Sequence, residues 1–177
     1  MTEKKGIISE MVDMNERELF YEADIRKHQQ IVAERMLLVA QNLINRAINH
    51  DSSKLEEPER SAYVDPVYLL HHEDVLYGSP RYKELIGMMG EGWDHHRFHN
   101  DHHIEFFVPF SVQTLNDPVR CMDLFALFEM LCDWIAASER RDNDPCLPLK
   151  QIKEKYGLDE QLEAILRNTT GMIRRLK

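Results

Sequence analysis

Five of the nine histidines in this 177-residue chain fall between His95 and His103, in the run Trp93-Asp-His95-His96-Arg-Phe-His99-Asn100-Asp-His102-His103. Imidazole is the commonest biological metal ligand and titrates near neutral pH, so the cluster points to a bound metal or a proton-handling site. If the run is helical, His95, His99 and His102 or His103 form one stripe, and His96, Asn100 and His103 form another. Histidines at i and i+4 grip one ion from a single helix face. The plainer account is a solvated polar stretch, or imidazoles bonded to carboxylates.

Two other places join the cluster. His50-Asp51 ends a long apolar-periodic segment, where a turning chain lets neighbouring ligands converge on one ion. On its own that dipeptide is an ordinary capped helix end. Glu129 and Asp133 interrupt the most apolar run of the chain, Leu124-Phe-Ala-Leu-Phe-Glu129-Met-Leu-Cys-Asp133-Trp-Ile-Ala-Ala. Four residues apart, they share a helix face. Burying an unpaired carboxylate costs several kcal/mol, so both are expected on a metal or in ion pairs with Arg46, Arg120 or Lys54. His71-His72 reads as a helix-end surface feature, and Tyr77-Gly78-Ser79 as a turn.

The elements that must position these groups are helical. Neither Gly nor Pro occurs from Glu18 to Asn49, and Ile25, Val32, Met36, Val39 and Leu43 recur at helical spacing. Asp51-Ser-Ser is helix-ending or capping chemistry. Pro58 and Pro66 predict a looser segment down to Gly78-Ser79-Pro80, and Gly90 and Gly92 close a short helix over Arg81–Met89. Asn116-Asp117-Pro118 predicts an N-cap and a helix from Pro118 to about Arg140. Asp142-Asn-Asp-Pro145 reads as a loop, followed by amphipathic helices over Leu149–Tyr156 and from Asp159 to about Leu176. The expected fold is one all-α domain of five to seven helices spanning 1–177. Residues 1–15 are read as disordered, 18–140 as the core that carries the site, and 148–177 as C-terminal helices.

Bulk composition narrows the function. A formal charge of −9 argues against a nucleic-acid groove, which needs a basic face. An anionic substrate would need a local metal or arginine cluster to overcome that field. Three cysteines without CxxC spacing, Cys121, Cys132 and Cys146, fit a reduced compartment, and the N-terminus lacks an apolar signal region. The longest apolar stretch, Leu124 to Ala137, is too short to span a membrane and holds two carboxylates. A cytoplasmic protein is expected. The near-heptad N-terminal stripe is suited to burial within one chain or in a homodimer.

The order His28, His50-Asp51, Asp133 resembles the HD-domain superfamily, helical phosphohydrolases that hold one or two divalent ions with an H…HD…D ligand set. The resemblance implies His28 as a further ligand. Further histidines between HD and the last Asp are similar to HD subgroups that bind a second metal. The chain also resembles a family of uncharacterised bacterial and phage proteins with HD-x-SK-L, YGS-x-x-YK, H-x-x-x-N-x-HH and E-M-x-C-D-W motifs. Here those are His50–Leu55, Tyr77–Lys83, His96–His103 and Glu129–Trp134, spread over residues 24 to 140. That family's histidines are usually followed by Pro-Glu, where this chain has Ile104-Glu105. On an unbroken helix His28 and His50 would lie roughly 33 Å apart, so His28 needs a hairpin near Ala40-Gln41-Asn42.

The expectation is an HD-like phosphohydrolase acting on a nucleotide or another small phosphoester. His50, Asp51 and Asp133 form the base of its metal site. His96, His102, His103, His99 and His28 are further candidate ligands, and Glu129 is a ligand or base. Lys54 and Arg46 are the cations that would neutralise phosphate. One or two divalent ions are expected, Mn, Fe, Zn or Mg, with mixed His and carboxylate ligation favouring the transition metals. The rivals are a non-haem iron redox protein and a non-catalytic phage or bacterial adaptor with a structural metal.

Overall fold

Helical periodicity is realised as seven α-helices and three 3-10 segments, with no strand among the described residues, so the all-α expectation holds. The computed structural model describes residues 2–114, 117–140, 144 and 146–176. No described helix is long and apolar enough to cross a membrane.

Helix α1 runs unbroken over Thr2–Asn49. It extends through residues 2–15, where disorder was expected, and past Ala40-Gln41-Asn42, where His28 would have needed a turn. No Gly or Pro between Glu18 and Asn49 offers the backbone a break. Contacts divide the chain into two units, Met1–Asn45 and Arg46–Lys177. Every candidate site residue except His28 belongs to the second.

In that unit the chain leaves α1 through Asp51, whose backbone is left-handed (φ 58°, ψ 14°), and enters a 3-10 turn, Ser52–Leu55. Helix α2, Glu59–His72, replaces the looser segment predicted from the two prolines. Pro58 stands at the cap position, where a missing N–H costs nothing. Pro66 lies inside the helix at the cost of one backbone bond, and its ring is buried. Tertiary burial overrides the breaker signal there.

Helix α3, Pro80–Met88, is capped by Ser79, whose Oγ accepts from the Tyr82 amide. Gly90 closes it as expected, left-handed (φ 45°) just after the Met89 C-cap, whereas Gly92 does not. Both belong to α4, Gly90–His99, which packs on α2. A Cβ at Gly92 would stand 2.3 Å from Ala62 Cβ, so only glycine permits this crossing.

The aromatic stretch forms a long 3-10 segment, Ile104–Thr114, packed on a second short one, Pro118–Cys121. The single helix expected from Pro118 is therefore two elements. Asp117 caps the first, and Asp123 caps α5, Leu124–Glu139, by accepting from the Phe125 and Ala126 amides at 2.9 Å each. Asn116, Asp142, Asn143 and Pro145, called cap and loop residues from sequence, lie outside the described residues. Helices α6, Leu147–Tyr156, and α7, Glu160–Arg175, meet at Gly157, a left-handed C-cap (φ 74°), and Asp159 caps α7.

The main core joins Leu127, Met130, Leu131 and Ile135 of α5 to Ile104, Leu149, Leu158 and Leu166. Those α5 residues recur at three- and four-residue spacing and fill one face. Glu129 and Asp133 fall on the other face, towards the histidines.

Candidate metal centre

Four chain segments supply the site: the end of α1 with Asp51, the first turn of α2, the end of α4 with its exit turn, and α5. Asp51 sits in a conformation uncommon outside glycine but tolerated by Asp, and such strain clusters at functional sites. The reversal there turns the adjacent His50 and Asp51 side chains to one place. His50 Nε2 lies 3.6 Å from Asp51 Oδ2 and 3.7 Å from Asp133 Oδ1.

The histidines of α4 and its exit turn separate by environment. His96 is completely buried and His102 is 3% exposed. Their Nε2 atoms lie 3.2 and 3.4 Å from Asp51 Oδ1. The His103 ring lies tilted at 4.4 Å from His102 and edge-on at 4.8 Å from His96. Ligand atoms of His96, His102 and His103 lie within 4.8 Å of one another, as do those of His50, Asp51 and His102. His102 is common to both sets.

Four buried atoms at this centre have no hydrogen-bond partner: Asp51 Oδ1 and the Nε2 atoms of His96, His102 and His103. A buried polar atom left unmatched costs about 1–3 kcal/mol, so four at one point is a costly arrangement for a structural core. Three imidazole nitrogens and a carboxylate oxygen are the donor set of a divalent transition metal, and the residues present fit one.

The opposite ring nitrogens are held by glutamates. His50 Nδ1 is 2.8 Å and His102 Nδ1 3.3 Å from Glu129 Oε1. His96 Nδ1 is 2.8 Å from Glu59 Oε2. This is the carboxylate–imidazole pairing that orients histidine ligands at metal sites. Glu129 is anchored in turn by Arg46, whose Nε is 2.6 Å from Glu129 Oε2 and whose Nη1 donates to Asp101 Oδ2 at 3.0 Å. Arg46 is thus spoken for by two carboxylates. Lys54 Nζ donates to Asp51 Oδ2 at 2.6 Å and stays half-buried near the site's edge.

Electrostatics follow from this crowding. Burial alone would raise the Asp51 carboxyl, but the His102 and His96 imidazoles and the Lys54 ammonium hold it well below the usual range. Asp133 is held low against burial chiefly by His50. Asp133 is also the leading cause that raises His50 to about 9, with Glu129 and Asp51 adding to it and burial opposing. His103 is pushed down to about 3 by burial and by the neighbouring His102 and His96, so its ring is neutral.

Some predicted residues are not brought together. His99 is exposed, donates Nδ1–H to the His95 carbonyl at 2.8 Å and stacks on the His95 ring. His28 is exposed on α1, and the hairpin it required is not formed. His71 and His72 engage Arg140 and Tyr68 away from the centre. Glu105 accepts from Arg97, Lys155 and Tyr156 and so ties the exit of the histidine run to α6.

Sequence reasoning missed Glu59, and it gave Ser53 and Asn100 no role of their own. Glu59 is fully buried and takes hydrogen bonds from His95 Nδ1, His96 Nδ1 and Ser53 Oγ at 2.8 Å each. In sequence it follows Glu56-Glu57-Pro58 and looks like any acidic first turn. Those three hydrogen bonds hold its carboxyl low against burial.

An all-α chain whose helix ends gather imidazoles and carboxylates around a buried centre defines a helical protein with a candidate metal site. This chain belongs to the DUF5662 family, a family of unknown function, which it matches over residues 17–172. No curated protein and no solved structure matches it.

Proposed function

We propose that the protein is a metal-dependent phosphohydrolase acting on a small phosphoester such as a nucleotide, HD-like in using Asp51 as a ligand, with His50 and Asp133 at the edge of the centre. The observation that carries this reading is the convergence of Asp51 Oδ1 and three unpartnered imidazole Nε2 atoms in a buried centre edged by an ammonium group. His96, His102, His103 and Asp51 would hold the ion, and the His-rich set favours Mn, Fe or Zn over Mg. The bound ion supplies Lewis-acid polarisation of a phosphoryl oxygen and acidifies the hydrolytic water towards neutrality.

The chain's own residues divide the remaining work. Lys54, which keeps partial exposure beside Asp51, is the cation that meets the phosphate charge. Asp133 stays ionised next to His50 at the edge of the centre, where it can accept a proton from water. Glu129 holds the Nδ1 side of His50 and His102, and Arg46 holds Glu129. Both are positioning groups, so Arg46 leaves the phosphate-neutralising role expected from sequence to Lys54.

The test is metal analysis of protein purified without added metal or chelator, followed by hydrolysis assays on p-nitrophenyl phosphate and nucleotides. The reading expects one or two equivalents of a transition metal, phosphate release, and loss of both in Asp51→Asn. Protein that neither carries nor takes up Mn²⁺, Zn²⁺ or Fe²⁺ sinks it. Bound iron that consumes oxygen and releases no phosphate replaces it with the redox alternative.

A further inference from the structure

Glu59 has no role in the function proposed above, yet its side chain is completely buried. It opens α2, where the partial positive charge of the helix N-terminus favours an anion. Its two oxygens face three donors. Oε1 is 2.8 Å from His95 Nδ1, and Oε2 is 2.8 Å from both His96 Nδ1 and Ser53 Oγ.

The hydrogen-bond directions around it close in one way. An ionised carboxylate only accepts, so a nitrogen at 2.8 Å must carry a proton or two lone pairs would face each other. The competing partners of His96 Nδ1 are already used. Ser53 Oγ, 3.3 Å away, gives its hydrogen to Glu59 and accepts from Asn100 Nδ2 at 3.1 Å. Asn100 Nδ2, 3.2 Å from His96 Nδ1, spends its second hydrogen on the His96 carbonyl at 2.8 Å. Nε2 has no such constraint: Asp51 Oδ1 is 3.2 Å away but makes no hydrogen bond with it, so once Nδ1 holds the proton a neutral His96 leaves the Nε2 lone pair bare.

We propose that Glu59 is a positioning residue that locks His96 in the Nδ1–H tautomer, so that Nε2 is presented to the centre as a ready metal ligand. His95, partly exposed, is the solvent-side partner of the same carboxylate. The tautomer stands on the hydrogen bonds alone. Its consequence for metal binding rests on the reading under Proposed function.

The experiment is a long-range ¹H–¹⁵N correlation spectrum of metal-free, ¹⁵N-histidine-labelled protein at about pH 8, well above the usual imidazole pKa. His96 is assigned by the signal lost in His96→Gln. The expected wild-type spectrum shows the proton on Nδ1 and a bare Nε2. In Glu59→Gln, one acceptor oxygen must serve two imidazoles, and an amide N–H turned to His96 demands the opposite tautomer. His96 should then populate Nε2–H, and Zn²⁺ affinity should fall roughly 10–100-fold.

A wild-type His96 protonated at Nε2 overturns the proposal. So does a Glu59→Gln protein that keeps both tautomer and affinity. Should Glu59→Gln fail to fold, the wild-type spectrum still decides. Wild-type protein that takes up no Zn²⁺ defeats the metal reading, while the same spectrum continues to judge Glu59.

Discussion

Gly92→Ala tests the packing on which the centre depends. In a helix interior, glycine to alanine ordinarily stabilises by about 1 kcal/mol. Gly92 should reverse that sign, because an added Cβ would stand 2.3 Å from Ala62 Cβ and 3.5 Å from the Glu59 Cα. Carbon atoms rest at about 3.5–4.0 Å, so α2 and α4 must separate by more than about 1 Å. Neither contact is the tip of a flexible side chain, so little can yield locally. Overpacking of this kind costs about 1–3 kcal/mol. At roughly 2–4 °C per kcal/mol for a chain of this size, a cost near 2 kcal/mol lowers Tm by roughly 4–8 °C.

The same separation would stretch the 2.8 Å bonds from Glu59 on α2 to His95 and His96 on α4. Zn²⁺ affinity should therefore fall along with Tm. Thermal unfolding and Zn²⁺ titration of Gly92→Ala, Ala62→Gly and the double variant form the assay. Removing the Ala62 methyl makes room for the new one, and the helix-propensity changes nearly cancel. The double variant should return close to wild type in both readouts. Gly87→Ala, where an added Cβ meets nothing within 4 Å, is the control and should be neutral or slightly stabilising. A Gly92→Ala protein as stable as wild type, or a double variant without recovery, would refute the close α2–α4 crossing.

Three more outcomes are expected. A transition-metal ion at about 100 times its Kd should stabilise the wild type by roughly 2.7 kcal/mol, a rise in Tm that chelation reverses and Asp51→Asn abolishes; equal shifts in both proteins would place the ion elsewhere. Lys54→Ala should keep its metal and lose roughly 1.5–3 kcal/mol of interaction with the phosphate, read as a tenfold or greater fall in kcat/KM; an unchanged value would remove Lys54 from the site. Leu131→Ala, at a fully buried position on α5, should cost about 2–5 kcal/mol in denaturant unfolding, and a loss below 1 kcal/mol would contradict the core described around α5.

The sequence alone determined the fold class, because helical spacing is a local property that three or four turns are enough to reveal. It determined most of the centre for a similar reason. Histidine density at 95–103, the His50-Asp51 pair, and two carboxylates four apart on an apolar helix are unusual enough to be read without coordinates. Other features were settled only by long-range packing. Pro66 reads as a breaker until its ring is seen buried inside α2. Asp123, not Asp117, starts α5, because two capping aspartates stand six residues apart and local chemistry favours both.

The tertiary structure also sorted the histidines, turning His96, His102 and His103 to the centre and leaving His99 in solvent. It left α1 unbroken where His28 needed a turn, and it committed Arg46 to Glu129 and Asp101. Glu59 is the clearest case. A glutamate after two glutamates and a proline has the composition of a surface turn. Its burial, its three donors and the ring nitrogen it leaves bare arise only when α2 and α4 meet at Gly92, an approach set by residues thirty positions away in the chain.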